Sequence, residues 1–507
     1  MDKKSISKSQ IYNELDIEMR SKWFGRLEKK YIYHIDTFYF VGYVDVDWKE
    51  SDSAKLFKAY LNKKKKVVEA SLEFETLWEP DLLMKFGYSV GFYKYHIGKN
   101  DAFDIFVADS MPDKETPPIF VQLRSQFLWL YGSELALKKA AQTLENILNR
   151  YGIRLIELKE NRIDYAFHTN YIQDLTNFFP EKHLSEMQVS DFKRWHKEGY
   201  FFNDYCFCDY FTLGRRKSNN VFFRVYNKTK EVVEMGYKQF FIWIWLYNGL
   251  ISRFDAYVLE KCFEKSSWYY KEKARLEFYL EHGKDERAKR EIEIILNDKN
   301  YPAAKCREIA DILVPDVTVV TNIEFQTKRK FYYSLMLPNM NNGEQEYFKR
   351  LSNLLNLQRD IIDLLTYDVI RFVKYKGQYN TLRRDQRPLA SWWERLRACR
   401  IQEYVTEEKY ELVRQYQRQL DVKKLKKMTI NKIATIAVYN QDDLDQCFEK
   451  DVLDFLSSLN DNDLNNYFQY KNKKALELKS KLEGVSKNKV ENSYSLLDKK
   501  TGEIKYI

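Results

Sequence analysis

The sequence predicts an α+β protein, in which an antiparallel sheet with flanking helices is followed by a mainly helical C-terminal region. Three observations support this fold class. Residues 31–48 are dense in Tyr, Phe, Val and Ile, as strands are. A strand, a helix with clear start and stop signals, and another strand follow over residues 119–168. Beyond about residue 284, apolar residues recur at helical spacing.

The first half of the chain contains most of the predicted strands. Residues 119–130 (IFVQLRSQFLWL) predict one strand, and residues 154–168 (RLIELKENRIDYAFH) predict another. Between them, Ser133 is the expected N-cap of a helix and Gly152 its stop. The apolar residues between these two signals follow helical spacing: Leu137, Ala140, Ala141, Leu144, Ile147 and Leu148.

Two further strands are predicted at residues 220–228 (NVFFRVYNK) and 273–281 (KARLEFYLE), separated by a long apolar insertion at 235–270. The helical pattern then takes over, for example through Leu351, Ile361 and Phe372. The predicted organisation comprises four parts: a helical or flexible lead-in at 1–30, an α+β domain at 31–283, a helical region at 284–470 and a polar tail at 471–507.

Composition narrows the class of protein. The chain carries 84 Lys and Arg against 74 Asp and Glu, a net charge of +10, and 16% of its 507 residues are aromatic. This balance fits a nucleic-acid partner, and the alternative is a large protein with solvated lysines. With only 16 Gly and 9 Pro, collagen-like and low-complexity classes are excluded.

The compartment is predicted from three absences in the sequence. Six cysteines without a CxxC pair provide neither a disulfide scaffold nor a structural zinc motif. The polar N-terminus, MDKKSISKSQ, lacks the apolar region of a secretory signal. The most apolar run, Phe240–Ile251, is shorter than the ~20 residues of a membrane span. A cytoplasmic protein with no membrane partner is therefore expected.

Side chains alternate along a strand, so three of the predicted strands would each have an apolar face and a polar face. The polar residues that share a face are, strand by strand, Arg162, Asp164 and His168; Arg224 and Tyr226; Arg275, Glu277, Tyr279 and Glu281. If the three strands are neighbours, one sheet surface gathers Asp164, His168, Arg224, Tyr226 and Glu277.

Such a set of side chains suits chemistry on a phosphodiester. Two or three carboxylates, with or without a His, bind Mg²⁺ or Mn²⁺, which would polarise the phosphate. A Tyr hydroxyl, with an unperturbed pKa of ~10, can attack phosphorus when a metal or base assists it. Arg224 and Lys228 could hold the phosphate oxygens. The alternative is that Tyr226, one of 38 tyrosines, simply lies on a polar strand face.

The order of three short motifs resembles the replication initiation factor family. Those proteins are rolling-circle initiators of plasmids and phages, together with related relaxases of conjugative elements. The family has an R-x-D strand, then an R-x-Y-[ND]-K-x-x-E strand, then an R-x-E strand. The matching residues here are Arg162 and Asp164; Arg224, Tyr226, Asn227, Lys228 and Glu231; Arg275 and Glu277. The strand YIYHIDTFYF, with His34, Asp36 and Phe38, is similar to the family's opening strand.

The resemblance implies a role for each matched residue. Tyr226 becomes the nicking nucleophile, with Arg224 and Lys228 beside it, and Asp164, Glu277 and Asp36 become ligands of Mg²⁺ or Mn²⁺. The sequence departs from the family where His168 occupies a second acidic position, so His168 joins the expected ligand set. No His-hydrophobe-His pair occurs, which argues against the large relaxase class that binds its metal with such a pair.

The activity implied by the resemblance is metal-dependent nicking of one strand at an origin, which leaves a 5′-phosphotyrosyl link and a 3′-hydroxyl. The expected partners are double-stranded origin DNA with a locally single-stranded nick site, a host helicase and a polymerase. A homodimer is compatible with the sequence. One alternative is a conjugative-element relaxase that nicks a transfer origin, and another is a DNA-binding or regulatory protein without catalytic activity.

One further segment suggests contact with DNA. Residues 381–400 (TLRRDQRPLASWWERLRACR) combine arginines, which neutralise phosphates, with two tryptophans, which can stack on unpaired bases. The candidate DNA-binding residues are Arg383, Arg384, Arg387, Trp392, Trp393 and Arg395. The alternative is that the tryptophan pair belongs to a helix-packing core.

Overall fold

The structure of the protein is a computed structural model. It describes most of residues 9–401 and short segments beyond them. The described residues are 9–71, 75–85, 90–99, 102–111, 116–178, 188–190, 210–213, 216, 220–235, 238–298, 301–335, 337, 343, 345–374, 386–401, 429–430, 432–433, 436, 448–460, 463–467 and 471.

A ten-stranded antiparallel sheet is the centre of the fold, and a two-stranded sheet accompanies it. The strands are β1 (Tyr31–Val44), β2 (Glu75–Thr76), β3 (Leu82–Met84), β4 (Tyr93–Lys99), β5 (Phe103–Ala108), β6 (Ile119–Leu123), β7 (Leu155–Thr169), β8 (Gln188–Ser190), β9 (Tyr210–Leu213), β10 (Val221–Asn227), β11 (Thr321–Lys328) and β12 (Ile370–Phe372). The order in the large sheet is β2-β3-β4-β5-β6-β1-β7-β11-β10-β9, and β12 pairs with β8.

Helices flank the sheet, so the predicted α+β class is confirmed. They are α1 (Gln10–Glu14), α2 (Ile17–Trp23), α3 (Asp52–Ser71), α4 (Ser125–Tyr131), α5 (Ser133–Asn149), α6 (Leu175–Phe178), α7 (Lys228–Met235), α8 (Phe240–Tyr247), α9 (Arg253–Glu264), α10 (Lys271–His282), α11 (Glu286–Asn297), α12 (Ala303–Leu313), α13 (Arg329–Tyr332), α14 (Lys349–Asn356), α15 (Gln358–Leu364), α16 (Ser391–Arg397) and α17 (Phe448–Ser458). A π-helical turn, Leu365–Val369, follows α15.

The chain folds as two compact units. One unit comprises Met1–Phe331 and Asn339–Glu407, and the other comprises Tyr332–Pro338 and Glu408–Ile507. The first unit contains the whole sheet. In the second, the longest described element is α17. None of the helices in the described part of the chain is long and apolar enough to cross a membrane.

Three predictions about individual elements are wrong. Residues 119–130 form a short strand and then the helix α4, because the strand ends at Leu123. Residues 273–281 lie in the helix α10 and not in a strand. Residues 321–328, inside the region predicted to be helical, form the strand β11 in the middle of the sheet. A domain boundary at residue 283 would therefore separate one central strand from the others.

The sequence pattern explains both errors at 273–281 and 321–328. Residues 271–282 (KEKARLEFYLEH) are rich in good helix formers, and Gly283 follows as a stop. The buried residues of α10 lie on most sides of the helix, so Leu276, Phe278 and Leu280 only mimic the alternation of a strand. In contrast, TNIEFQTK alternates apolar Ile323 and Phe325 with polar neighbours, which is the pattern of a real strand.

The lead-in at 1–30 is part of the fold where it is described. Ile11, Leu15 and Phe24, from α1, α2 and the residues flanking them, are buried in a cluster with α8, α9 and α10. The predicted polar tail, 471–507, lies outside the described residues apart from Lys471.

Strands β7, β11 and β10 lie side by side, and their register aligns their side chains on two faces. The apolar face carries Ile163, Tyr165 and Phe167 of β7, Ile323 and Phe325 of β11, and Phe223 and Val225 of β10. The polar face carries Arg162, Asp164 and His168 of β7, Asn322, Glu324 and Gln326 of β11, and Arg224 and Tyr226 of β10.

Candidate active site

Tyr226 is near the end of β10, on the polar face, where strand and helix meet. Strand β10 ends at Asn227, and α7 begins at Lys228. The Asn227 side chain accepts a hydrogen bond from the backbone N–H of Lys230 at 3.0 Å, which is the N-capping contact that favours Asn at this position. This tight transition places Lys228 directly beside Tyr226.

Three polar groups converge on the Tyr226 hydroxyl. Lys228 Nζ donates to it at 3.2 Å, and Asn322 Nδ2 donates to it at 2.9 Å. The hydroxyl in turn lies 3.5 Å from Glu324 Oε2, a long contact in which the phenol is the donor. Two donors fill the acceptor positions of the oxygen, so its own proton is directed at Glu324.

Glu324 is fully buried and is held by a planar pair of hydrogen bonds. Arg224 Nε and a terminal guanidinium nitrogen donate to its two carboxylate oxygens at 2.9 and 2.8 Å. Asn322 Nδ2 also donates to Glu324 Oε2 at 3.1 Å. The Arg224 guanidinium lies 4.8 Å from the centroid of the Tyr226 ring, so one arginine positions both the carboxylate and the tyrosine.

Two further carboxylates, Glu231 and Asp36, neutralise the buried Lys228. Glu231 Oε2 lies 2.8 Å from Lys228 Nζ, and Asp36 Oδ2 lies 3.9 Å from it. Lys238 Nζ donates to the other oxygen of Glu231 at 2.6 Å. Burial disfavours the charged ammonium, but Tyr226, Asp36 and Glu231 together hold the pKa of Lys228 well above its ordinary value.

The pKa of the tyrosine is also shifted. Burial raises the pKa of Tyr226 above its ordinary value and Glu324 adds to this shift, while Lys228 and Arg224 oppose it. The phenol is therefore protonated at neutral pH in this arrangement. The Tyr226 side chain is buried, with 9% of the residue's surface exposed, whereas 27% of the Arg224 side chain is exposed. Arg224 is thus the more accessible of these two groups.

No three of the four predicted metal ligands, all of them described, form a group that could hold an ion, although Asp36 and His168 are close enough to influence each other's pKa. Asp164 accepts two hydrogen bonds from Arg162, one from Nε at 2.8 Å. Asp36 accepts a hydrogen bond from Trp129 Nε1 at 2.8 Å and another from Ser125. Glu277 lies on α10, away from the sheet strands where it was predicted, and accepts a hydrogen bond from Tyr270.

His168 lies on the polar face but is packed as a core residue. Its Nδ1 accepts a hydrogen bond from Trp245 Nε1 at 3.0 Å, and its ring stacks on Trp129. Burial, aided by Lys228, lowers the pKa of His168 well below its ordinary value. The imidazole is therefore neutral and engaged by tryptophans.

These contacts test whether a divalent ion fits. Among the described residues, no group of three or more His, Cys, Asp or Glu side chains is arranged to hold a metal. Asp164 and Glu324 are each held by an arginine, which supplies the positive charge that an ion would otherwise bring. The predicted ligand set does not fit Mg²⁺ or Mn²⁺, and no reaction step is assigned to an ion.

Asp164 interacts electrostatically with Glu324. Burial and the nearby Glu324 carboxylate raise the pKa of Asp164 to about 7, against the opposing effect of Arg162. Glu324 itself was missed at the level of sequence, because it lies in β11. The alternation of Asn322, Glu324 and Gln326 with apolar residues was the signal that could have revealed it.

The predicted DNA-binding segment is only partly exposed. Trp392 and Trp393 are both buried: Trp393 Nε1 donates to the carbonyl of Thr366 at 2.8 Å, and both rings pack on Phe372. The prediction that they stack on bases is wrong, and the core alternative is correct. Arg395 lies over the ring of Tyr171, and Arg387 is also described, whereas Arg383 and Arg384 lie outside the described residues.

Comparison with known proteins gives little further information. No family model matches this chain, and no curated protein matches it. One solved structure that is similar is described as the structure of a rolling circle replication initiator protein from Geobacillus stearothermophilus. It is 13% identical, with a TM-score of 0.36, and the match covers 74% of this chain and 100% of that one. A likeness at this level assigns neither a function nor a site residue to this chain.

Proposed function

We propose that this protein nicks one DNA strand by tyrosine transesterification, with Tyr226 as the nucleophile. The Tyr226 oxygen would form a bond to phosphorus, and the bond from phosphorus to the 3′-oxygen would break. The phenol proton would leave towards Glu324, and the 3′-oxygen would take up a proton, so that one proton moves overall from tyrosine to the new 3′-hydroxyl. The product would be a 5′-phosphotyrosyl link.

The observation that carries the proposal is the convergence of Lys228, Asn322 and Glu324 on a single hydroxyl. A nucleophilic hydroxyl needs a base to accept its proton and cations to stabilise the phenolate that forms. In this proposal Glu324 takes the first role, and Lys228 and Arg224 take the second. A buried tyrosine whose only role was packing would require one hydrogen-bond partner, and Tyr226 has three.

Arg224 would also bind the substrate. It is the most exposed group among those around Tyr226, and a guanidinium matches two phosphate oxygens in the same way that it matches the Glu324 carboxylate. A phosphodiester that bound Arg224 would therefore compete with Glu324 for it. Releasing Glu324 from Arg224 would make the carboxylate a better acceptor for the phenol proton.

The proposed reaction would serve either of two biological settings. A free 3′-hydroxyl at an origin would be extended by a polymerase after a helicase has separated the strands, and at a transfer origin the same reaction would start conjugation. The two settings share the chemistry of Tyr226. The DNA that flanks the gene is therefore the appropriate first substrate.

A second candidate is a DNA-binding protein without catalytic activity. The burial of Tyr226 favours it, since a phosphodiester reaches a hydroxyl only if the surrounding side chains move. In that case the Arg224–Glu324 pair and the bonds to Tyr226 would serve only to fix the sheet.

The test compares the full chain with Tyr226→Phe on two probes: a supercoiled plasmid that carries the DNA flanking the gene, and single-stranded oligonucleotides tiled across it. We expect the unmodified chain to give an SDS-resistant adduct, with the DNA attached to the peptide that contains Tyr226 by mass spectrometry. Tyr226→Phe should give none while retaining DNA binding. Tyr210→Phe is the matched control, because Tyr210 pairs with Tyr226 on the neighbouring strand β9.

Two outcomes would contradict the proposal. An adduct on Tyr226→Phe, or on a peptide without residue 226, would show that another residue is the nucleophile. Tight DNA binding by the unmodified chain without any adduct would favour the non-catalytic candidate.

A further inference from the structure

An aromatic cavity lies beside the candidate site and has no role in the chemistry proposed for Tyr226. It has a volume of about 730 Å³ and lies between strand β1 and the helices α4 and α8. Six aromatic residues line it: Tyr31, Tyr33, Trp129, Phe240, Trp243 and Tyr247. This volume lies within the range of cavities that hold small organic ligands.

The helix α8 explains why this surface is apolar. Its sequence, FFIWIWLY, is apolar on all sides, although only one side can face the core. Phe241 and Trp245 are fully buried. On the other side, Trp243 is 57% exposed and Tyr247 is 92% exposed. Large aromatic residues left in solvent beside a cavity are typical of a binding surface.

The charge of the cavity indicates an anionic ligand. None of the described residues that line it is acidic, and Arg400 is among them. Two more cations lie near the cavity wall, through Tyr171. Tyr31 in the cavity wall stacks on Tyr171, and the ring of Tyr171 is covered by Arg395 and Lys29, whose charged groups lie 5.1 and 5.4 Å from its centroid.

Trp129 connects the cavity to the candidate site. Its indole lines the cavity, and its Nε1 donates to Asp36, the carboxylate that lies 3.9 Å from Lys228 Nζ. Lys228 in turn donates to the Tyr226 hydroxyl. Three side chains, Trp129, Asp36 and Lys228, thus link the wall of the cavity to the Tyr226 hydroxyl.

We infer that this cavity binds an unpaired base of single-stranded DNA, with Trp243 and Tyr247 as stacking surfaces and Arg400 as a phosphate contact. Aromatic stacking with cations alongside is the usual way in which proteins hold single strands without reading their sequence. The identification of the ligand as DNA rests on the proposed function. The cavity would hold the strand in place while the phosphodiester reacts.

The experiment measures binding of octathymidylate to the full chain by competition with a fluorescent oligonucleotide. We expect Trp243→Ala to weaken binding at least about fivefold, in line with the effect of removing one stacking surface. Arg400→Glu should also weaken binding, because it reverses the charge at the phosphate contact. Tyr247→Ala should weaken it less, because that side chain is the more exposed of the two aromatics. Tyr269→Ala is the control, since Tyr269 is an exposed aromatic that does not line the cavity.

A second readout separates stacking from charge. An oligonucleotide with one 2-aminopurine base should lose fluorescence on binding to the unmodified chain, because that base is quenched when it stacks. Trp243→Ala should abolish the quenching even at saturating protein, whereas Arg400→Glu should retain it once binding is saturated. Unchanged binding and quenching in Trp243→Ala would overturn the inference.

Binding and nicking can fail independently. Trp243-dependent binding by the unmodified chain without any adduct would contradict the proposed nicking but support the cavity. Tyr226→Phe should bind the oligonucleotide as the unmodified chain does, because Tyr226 does not line the cavity. Conversely, normal nicking by Trp243→Ala and Arg400→Glu would overturn the inference that the cavity holds the strand during the reaction. Trp243-dependent binding to anionic lipid vesicles instead of the oligonucleotide would overturn it in favour of a membrane ligand.

Discussion

The two faces of strands β7, β11 and β10 are built on the same backbone but held together differently. On the apolar face, the ring centroids of Phe223 and Phe325 lie 4.9 Å apart, and the ring centroid of Trp393 lies 6.0 Å from each of them. On the polar face, Glu324 is fixed by Arg224, and Asp164 by Arg162. The first face is stabilised by burial of apolar surface, which any well-packed side chain can supply.

The polar face depends on each partner being present. Buried ions lose their hydration, and an ion pair in a protein interior offsets that loss only when its hydrogen bonds are complete. The polar face is therefore a poor source of stability, although it fixes the positions of Tyr226, Glu324 and Arg224. One face therefore stabilises the fold, while the other fixes the position of the Tyr226 hydroxyl.

Trp393→Ala should have the largest effect on stability. The substitution removes a fully buried indole from the apolar face, and loss of a core aromatic costs about 3–5 kcal/mol in the free energy of unfolding. Urea denaturation followed by circular dichroism measures it. A loss below about 1 kcal/mol, the size of an ordinary point substitution, would show that the helices on this face contribute little.

Glu324→Leu should lower the free energy of unfolding by about 3 kcal/mol, because it leaves the partly buried Arg224 without its carboxylate partner. The double variant Arg224→Leu, Glu324→Leu should recover most of that loss, since apolar residues can replace a buried ion pair. No second substitution of this kind should rescue Trp393→Ala. If the double variant is less stable than Glu324→Leu, the polar face contributes stability beyond its charge pairs.

The pH dependence of stability should show how much the Glu231 carboxylate contributes to the folded state. Burial raises the pKa of its carboxyl, but Lys228 and Lys238 outweigh this effect and lower it to about 2. A carboxyl with a lowered pKa contributes stability above its ordinary pKa of 4.5, and the contribution is lost as the pH falls towards 2. Glu231→Gln should therefore be less stable than the unmodified chain at pH 6, and the difference should shrink towards pH 2. A difference that is constant across this range would contradict the shift.

Divalent ions should have the smallest effect on stability, measured as the melting temperature of the protein. An ion that binds only the folded state raises its melting temperature in proportion to the logarithm of ion concentration. Since arginines already neutralise Asp164 and Glu324, we expect neither MgCl₂ nor MnCl₂ to shift the transition, and EDTA to leave it unchanged. A rise with either ion that Asp164→Asn abolishes would restore Asp164 as a ligand. EDTA in the nicking assay checks the same point by activity.

Much of the polar face could be predicted from sequence, because alternation along a single strand is a local property. The strands around Asp164 and Tyr226 were predicted, and the sides on which Arg162 and Arg224 lie followed from them. Glu277 was misplaced because helix and strand patterns overlap over a short apolar segment. The composition of the segment, rich in Lys, Glu, Ala and Leu, was the better indicator.

The tryptophan pair shows the limit of composition. Trp392 and Trp393 stand among arginines in the sequence, which suits a surface that binds DNA. They lie at successive positions of α16, and both are nonetheless buried, because helix α16 packs one side against Phe372 of β12. No local pattern distinguishes an indole that stacks on a base from one that stacks on a phenylalanine.

Local sequence was sufficient to predict the fold class, the strands that carry Asp164 and Tyr226, and the face on which each lies, since these depend on neighbours within a few residues. The position of Glu324 beside the Tyr226 hydroxyl comes from long-range pairing, since the two residues are 98 positions apart along the chain. The pairing of β11 between β7 and β10 is a long-range contact, favoured by burial of the whole sheet. The same pairing brings Asn322 and Glu324 of β11 beside Tyr226 and Arg224 of β10.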